Sequence, residues 1–196
     1  MRALPASHMP FPLRLHEHLP LRTARLVLVP LDLSHLDALA AMLADPVVMR
    51  HFPRVMTRVE SEQWLRRTID RYQQHGTGLL AVLRADDRGG RPEFLGDCGL
   101  QVRVFGGETH LELGYHFTRQ AWGHGYATEA ARACVTLGLR HGAMAEVVAL
   151  IRPENGASQA VARRIGMRPR GAVLHAALVH DVWHISAEPI AGDTLQ

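Results

Sequence analysis

Apolar positions recur along this chain with two periods, and the switches between them mark out its elements. Ala24 to Pro30 is a short β-rich run closed by a proline and predicts a strand. Leu33 to Ala44 carries Leu36, Leu39, Ala40 and Leu43 at helical spacing, with Ser34 placed as the cap, Asp37 three residues on, and Asp45-Pro46 to stop it. Thr57-Arg58-Val59-Glu60 is a capping box. It opens a second helix to about His75, striped by Trp64, Leu65, Thr68, Ile69 and Tyr72 and closed by Gly76. Three strands follow, at Gly78 to Arg84, Phe94 to Phe105 and Thr109 to Thr118, with turn signals at Asp86 to Gly90 and at Gly106-Gly107.

The third of these strands alternates cleanly. Leu111, Leu113, Tyr115 and Phe117 share one face; His110, Glu112, Gly114 and His116 share the other. A helix from about Gly125 to Arg140 buries Tyr126, Ala130, Ala133, Cys134 and Leu137. Glu146 to Ile151 is an apolar strand, and Gly156 to Ile165 a helix ending at Gly166. Strands near Gly171 to Ala176 and Leu178 to Ser186 complete the pattern. The order β-α-α-β-β-β-α-β-α-β-β predicts one α/β layer structure with a mixed sheet, without repeats or a second domain. Residues 1–20, broken by Pro5, Pro10, Pro12 and Pro20, read as a flexible arm, and residues 189–196 as a tail.

Composition narrows the chemistry. All 22 Lys plus Arg residues are arginine. Without lysine there is no Schiff-base or pyridoxal-phosphate chemistry, no Walker A loop and no kinase strand lysine. Anions must be held by Arg, backbone N–H groups and helix N-termini. A net charge of +3 without a dense basic run is a weak nucleic-acid signal, so no nucleic-acid partner is expected. Cys98 and Cys134 sit in apolar segments and read as buried thiols in a reducing compartment. His16-Glu17-His18 has no second cluster at metal-ligand spacing, so no metal is expected. No apolar run spans a bilayer and the first residues lack a signal-peptide core, so the expectation is a cytoplasmic protein with no membrane partner.

The stretch that carries chemistry is Tyr115-His116-Phe117-Thr118-Arg119-Gln120-Ala121-Trp122-Gly123-His124-Gly125-Tyr126-Ala127-Thr128-Glu129-Ala130. A strand ends, a loop with Gly123 and Gly125 follows, and a helix begins. The free amides of the loop and first helical turn, reinforced by the helix dipole, suit a pyrophosphate; a plain tight turn has the same local pattern. A Rossmann dinucleotide site fails on order, because the glycines follow an antiparallel meander and a third glycine is missing.

Gln120-Ala121-Trp122-Gly123-His124-Gly125 matches the Gln/Arg-x-x-Gly-x-Gly/Ala signature of the GNAT N-acetyltransferase superfamily, and Trp122 to Ala130 resembles its RimJ/RimL-type branch. Arg152-Pro153-Glu154-Asn155-Gly156-Ala157-Ser158, Arg164-Ile165-Gly166-Met167 and Leu21-Arg22-Thr23-Ala24-Arg25-Leu26 resemble other blocks of that branch, so the likeness runs from about Leu21 to Glu188. Met167 stands where Phe is usual and Trp183 where Tyr is common, both at core positions.

The resemblance implies a GNAT-like fold over 21–188, with a mostly antiparallel sheet splayed at an acetyl-CoA site. It also implies direct transfer of acetyl from acetyl-CoA, as co-substrate, to an amine acceptor. It implies cofactor contacts at Tyr115, His116, Phe117, Thr118, Arg119, Gln120, Gly123, His124, Gly125, Tyr126 and Ala127, together with Asn155 and Ser158. A homodimer is implied by resemblance alone. Many family members place a donor Tyr in the last helix, but Tyr72, Tyr115 and Tyr126 all lie elsewhere. Similarity to the Asn-x-x-Ser block of the RimL-type enzymes implies Ser158 as the hydroxyl beside sulfur, with Asn155 near it; both positions also suit a helix cap. Glu112 is the first choice of base, directly or through water, with His110, His116 and Asp97 as fallbacks. Val47 to Arg58 holds Arg50, His51, Arg54 and Arg58 and no acid, which favours a peptide N-terminus or a small, weakly cationic amine over an aminoglycoside or polyamine. A non-catalytic acyl-CoA-binding module would keep the glycines and need neither Glu112 nor Ser158.

Overall fold

The computed structural model describes residues 13–85, 92–142 and 144–186. Strands β1 (Leu21–Arg22) and β2 (Leu26–Pro30) are followed by helices α1 (Leu36–Leu43) and α2 (Arg58–His75). The meander β3 (Leu79–Arg84), β4 (Phe94–Phe105) and β5 (Glu108–Phe117) leads into α3 (Tyr126–His141). Then come β6 (Glu146–Ile151), α4 (Gly156–Arg164), β7 (Arg168–His175) and β8 (Leu178–Ser186). The strands form one sheet in the order β1-β2-β3-β4-β5-β6-β8-β7. Every pairing is antiparallel except β5 with β6.

Strand alternation sorts the core into two layers. Leu26, Leu28, Leu80, Val82, Leu111 and Leu113 point to one side, against Ala130, Ala131 and Cys134 of α3 and Val161 and Ala162 of α4. Leu79 and Ala81, the alternate residues of β3, meet Leu39 and Leu43 of α1 and Leu65 of α2 on the other side. Met167 and Trp183 are both buried in the first layer, as core positions should be. Cys98 and Cys134 are buried free thiols with their sulfurs 3.8 Å apart. Burial pushes the Cys98 thiol well above its ordinary range.

The element order matches the sequence pattern apart from β1, two residues too short to show periodicity. The α2 start is as expected: Thr57 Oγ1 accepts from the Glu60 amide and Glu60 Oε2 accepts from the Thr57 amide at 2.8 Å. Its end is Gly76 at φ 67°. The start of α1 differs. Asp32, not Ser34, caps a short 3-10 turn at Leu33–His35 that precedes the helix, accepting from the Ser34 amide at 2.8 Å.

Residues 13–20 also differ from the expected arm. Leu13 and Leu15 are buried in the core, and the Leu13 amide donates to the His75 carbonyl at 2.8 Å. The prolines forbid a long helix there but not an extended docked segment with a 3-10 turn at Leu15–His18, and two leucines supply the apolar area that holds it. Residues 1–12 of that arm, the turn expected at Asp86 to Gly90 and the 189–196 tail lie outside the described residues. Among the described residues no helix is long and apolar enough to cross a membrane, and no group of three or more metal-ligating side chains forms.

Candidate active site

The parallel strands β5 and β6 meet in register at one pair, Glu112 with Val148, and diverge beyond it. The wedge between Tyr115–Phe117 and the start of α4 opens into a cleft of about 1260 Å³. Tyr115 reaches across it and donates from its hydroxyl to the Ser158 carbonyl at 3.3 Å; burial pushes that phenol to about 12.

One wall is the loop that starts α3. Gly123 and Gly125 sit at φ 79° and 80°, a conformation costly for any residue with a Cβ. A Cβ on Gly123 would meet nothing within 4 Å, so the backbone there is uncovered. Among the described residues the amides of Gly123, His124, Gly125, Tyr126, Ala127 and Thr128 have no acceptor; Glu129 is the first to bond, to the Gly125 carbonyl. These convergent donors and the α3 dipole fit a pyrophosphate without a lysine.

The cradle is braced from β2. Arg25 donates from Nη1 to the His124 carbonyl at 2.9 Å and from Nε to Glu129 Oε2 at 2.8 Å, while its guanidinium lies 4.7 Å from the Tyr126 ring centre. The Thr23 hydroxyl donates to Glu129 Oε1 at 2.6 Å. Burial alone would raise the Glu129 carboxyl, but the bonds from Thr23 and Arg25 outweigh it and hold the group below its ordinary range. Trp122 Nε1 pins the loop to the Phe117 carbonyl at 2.9 Å. Sequence reasoning missed the Arg25–Glu129 brace. Both residues lie in blocks that resemble the family, but 104 positions separate them.

The opposite wall carries an acid–imidazole pair. Asp97, with 0% exposure, places Oδ1 2.9 Å from His116 Nδ1, and His116 lines the cleft. Burial lowers the imidazole's proton affinity, yet the charge of Asp97 and its hydrogen bond prevail and His116 is raised above the ordinary histidine range. Phe52 packs on the His116 ring at 4.6 Å and Trp64 meets it edge-on at 6.3 Å. Asp97 and His116 are directly paired across β4 and β5. A two-residue turn at Gly106-Gly107, with φ 59° and 78°, pairs Phe105 with Glu108 and, counted outward, sets this register.

Of the residues expected at the site, Tyr115, His116, Phe117, Gly123, Gly125, Tyr126, Ala127, Asn155 and Ser158 line the cleft. Thr118, Arg119, Gln120 and His124 belong to the same loop but do not line it. Arg119 faces Asp45 at 3.8 Å, and His124 Nδ1 lies 2.8 Å from the Trp122 carbonyl. Glu112 is not among the lining residues. It shares the His116 face but sits four positions back, roughly 13 Å along the strand. Its carboxylate accepts from Arg103 Nε at 2.7 Å. His110, another fallback base, is buried against Phe105 at 3.9 Å, and burial lowers its proton affinity. Asn155 caps α4 by accepting from the Ser158 amide at 3.1 Å. The Ser158 hydroxyl has no partner among the described residues.

Comparison with known proteins agrees with this geometry. Residues 25–168 match the acetyltransferase (GNAT) domain family. The chain is 37% identical over 123 residues to the Bacillus subtilis protein YkkB, covering 63% of this chain and 69% of that one. An acetyltransferase from Agrobacterium tumefaciens superposes with a TM-score of 0.73 at 24% identity, covering 85% of this chain and 94% of that one. The ribosomal-protein α-N-acetyltransferase RimL in complex with coenzyme A superposes at 0.65 and 22% identity, covering 85% and 97%. The chain belongs to the GNAT acetyltransferase family and is an acetyl-CoA-dependent N-acetyltransferase.

Proposed function

We propose that this transferase acetylates a primary amine, on a small molecule or at a peptide N-terminus, with His116 as the general base. The single observation that carries this is the Asp97–His116 pair in the cleft wall. With Nδ1–H given to the carboxylate, the ring's Nε2 keeps its lone pair for a proton. Acetyl-CoA supplies a thioester-activated acetyl group. The amides of Gly123 to Thr128 would hold its pyrophosphate, and Tyr115 to Phe117 would flank its pantetheine arm.

An amine attacks only when neutral. His116 Nε2 accepts the proton that the amine nitrogen gives up as its bond to the acetyl carbon forms. The carbon–sulfur bond breaks in the same transfer, and the Ser158 hydroxyl faces the departing sulfur as a hydrogen-bond donor. Asp97 orients the imidazole and stabilises its cation. Glu112, held by Arg103, is better placed as part of the α2-facing polar surface than as the base.

The acceptor does not follow from the fold likeness to RimL, and the RimJ/RimL-type branch remains a proposal on the Trp122 to Ala130 and Asn155 to Ser158 motifs. The test is release of free CoA from acetyl-CoA over a panel of amines, for the wild type and His116→Ala. Turnover that collapses in the variant while acetyl-CoA affinity holds supports the assignment. Tight acetyl-CoA binding with no turnover on any amine would instead make the chain a binding module.

A further inference from the structure

We infer that the acceptor is a compact amine carrying an anionic group, a carboxylate or a phosphonate, beside an apolar body, and that Arg50 binds the anion. The inference rests on the transferase reading above and concerns the same cleft. The arginines around its acceptor end form a pattern. Arg54 pairs with Glu60 at 2.7 Å, Arg58 with Asp37 at 2.5 Å, Arg152 with Glu154 at 2.7 Å, and Arg119 faces Asp45 at 3.8 Å. Arg50 lines the cleft and has no carboxylate partner among the described residues; Arg22, Arg132, Arg140 and Arg164 line it unpaired as well, but from β1, α3 and α4, whereas Arg50 stands on the α1–α2 link two residues from Phe52. Its Nε donates to His51 Nε2 at 3.1 Å, which leaves both terminal nitrogens of its fork unengaged. Burial and the charge of Arg50 hold His51 below the ordinary histidine range, so His51 adds no competing anion partner.

Among the described residues that line the cleft, no carboxylate is left to receive a second ammonium group. Glu129, the one acid among the lining residues, is held by Arg25 and Thr23. A polycation therefore meets an uncompensated arginine, and an anion meets a planar fork that matches a carboxylate or phosphonate. The guanidinium is set over the Trp122 ring at 5.4 Å. Around it, Val47 at 37%, Phe52 at 42% and Trp122 at 38% exposure leave apolar surface open at the mouth. Phe52 also touches His116, so this surface joins the anion-binding guanidinium to the proposed base.

The experiment compares four acceptors with acetyl-CoA: phenylalanine, phenylalaninamide, the aminophosphonate analogue of phenylalanine, and spermidine. The amide has the more acidic ammonium group and is intrinsically the more available nucleophile. Preference for the acid must therefore come from the protein. The expected result is a kcat/KM at least tenfold higher for the carboxylate or the phosphonate than for the amide or spermidine, the better anion distinguishing the two headgroups. Arg50→Met should erase that preference by raising the acceptor KM, leave the acetyl-CoA KM unchanged, and preserve turnover of the amide. Equal or better turnover of the amide or spermidine by the wild type overturns the inference while leaving the transferase intact. So does an Arg50→Met variant in which the acetyl-CoA KM rises, since Arg50 would then serve the phosphate cradle. If no amine of any charge is acetylated, the transferase reading itself fails.

Discussion

Asp97 and His116 face each other across adjacent strands at 2.9 Å, one fully buried and the other open to the cleft. The carboxylate raises the imidazole, so neutral base accumulates only above the ordinary histidine range. The acceptor kcat/KM should climb with pH through that raised value. Asp97→Asn should move the rising limb to lower pH and reduce kcat, and His116→Ala should cost about 100-fold or more in kcat. A pH profile of unchanged shape in Asp97→Asn would reject the pairing as functional. Stability should carry the same signature. The folded value exceeds the unfolded one of about 6.5, so the pair's contribution is complete below that pH and fades as pH rises through the folded value. The Tm difference between wild type and Asp97→Asn should shrink accordingly.

Two glycines should respond to alanine differently in cofactor binding. At Gly123 a Cβ meets open space, and the cost is the left-handed backbone alone, roughly 1–2 kcal/mol. That strain falls on the loop, so Gly123→Ala should raise the acetyl-CoA KM severalfold as well as lower Tm by a few degrees. At Gly138, in the middle of α3, a Cβ would come within 2.6 Å of Leu100 Cδ1 and 3.2 Å of Leu111 Cδ2 and Val147 Cγ2. Overpacking of that kind costs about 1–3 kcal/mol, so Gly138→Ala should lower Tm by several degrees and leave the acetyl-CoA KM alone.

The same contrast explains what could be read from the chain. Helix caps and turns are local, so Thr57–Glu60, Gly76 and Gly106-Gly107 were legible from residues three or fewer apart. The loop of free amides was legible because its donors are consecutive. The sequence put Glu112 first as the base, ahead of His116, the base proposed above. Asp97, His116 and Glu112 were all visible as candidates, but their ranking depends on which strand residues face each other and where the sheet splays. The register was recoverable from the two-residue turn. The divergence of β5 from β6 just beyond Glu112 was not, because it is a property of the packed sheet. The docking of Leu13 and Leu15 escaped for a related reason: prolines mask periodicity without preventing burial.

Arg25 gives a test of the brace. Its guanidinium ties the His124 carbonyl, the Glu129 carboxylate and the Tyr126 ring together just beneath the free amides. It is about half exposed, at 48% for the side chain, so the ion pair itself should contribute modestly, on the order of 1 kcal/mol after solvent screening. The larger effect should be on loop order. Arg25→Ala should raise the acetyl-CoA KM by about tenfold with kcat nearly unchanged, and Glu129→Gln should do less because its one amide oxygen still accepts from the Thr23 hydroxyl and the Arg25 backbone N–H, although it loses the guanidinium. A lowered kcat at unaltered KM in Arg25→Ala would place this arginine nearer the chemistry than the brace allows.

Asn155 and Ser158 were a single ambiguity in the sequence, since both suit a cap and both suit the departing sulfur. The structure shows the cap at Asn155, and the sulfur-facing role proposed above falls to Ser158. Asn155 Oδ1 is spent on the Ser158 amide at 3.1 Å, the geometry of an N-cap, whereas the Ser158 hydroxyl lines the cleft without a partner among the described residues. Loss of a cap costs about 1 kcal/mol, so Asn155→Ala should lower Tm by roughly 2–4 °C. It should reduce activity only as far as α4 shifts. On the proposed mechanism Ser158→Ala deletes a donor that matters when negative charge grows on sulfur. It should leave Tm and the acetyl-CoA KM near wild type and lower kcat by about tenfold or more, a loss confined to the transition state. Thioesters with better leaving groups need that donor less, so the deficit of Ser158→Ala should narrow with an acetyl thioester of a more acidic thiol. A deficit that stays constant across leaving groups would return Ser158 to a purely structural part.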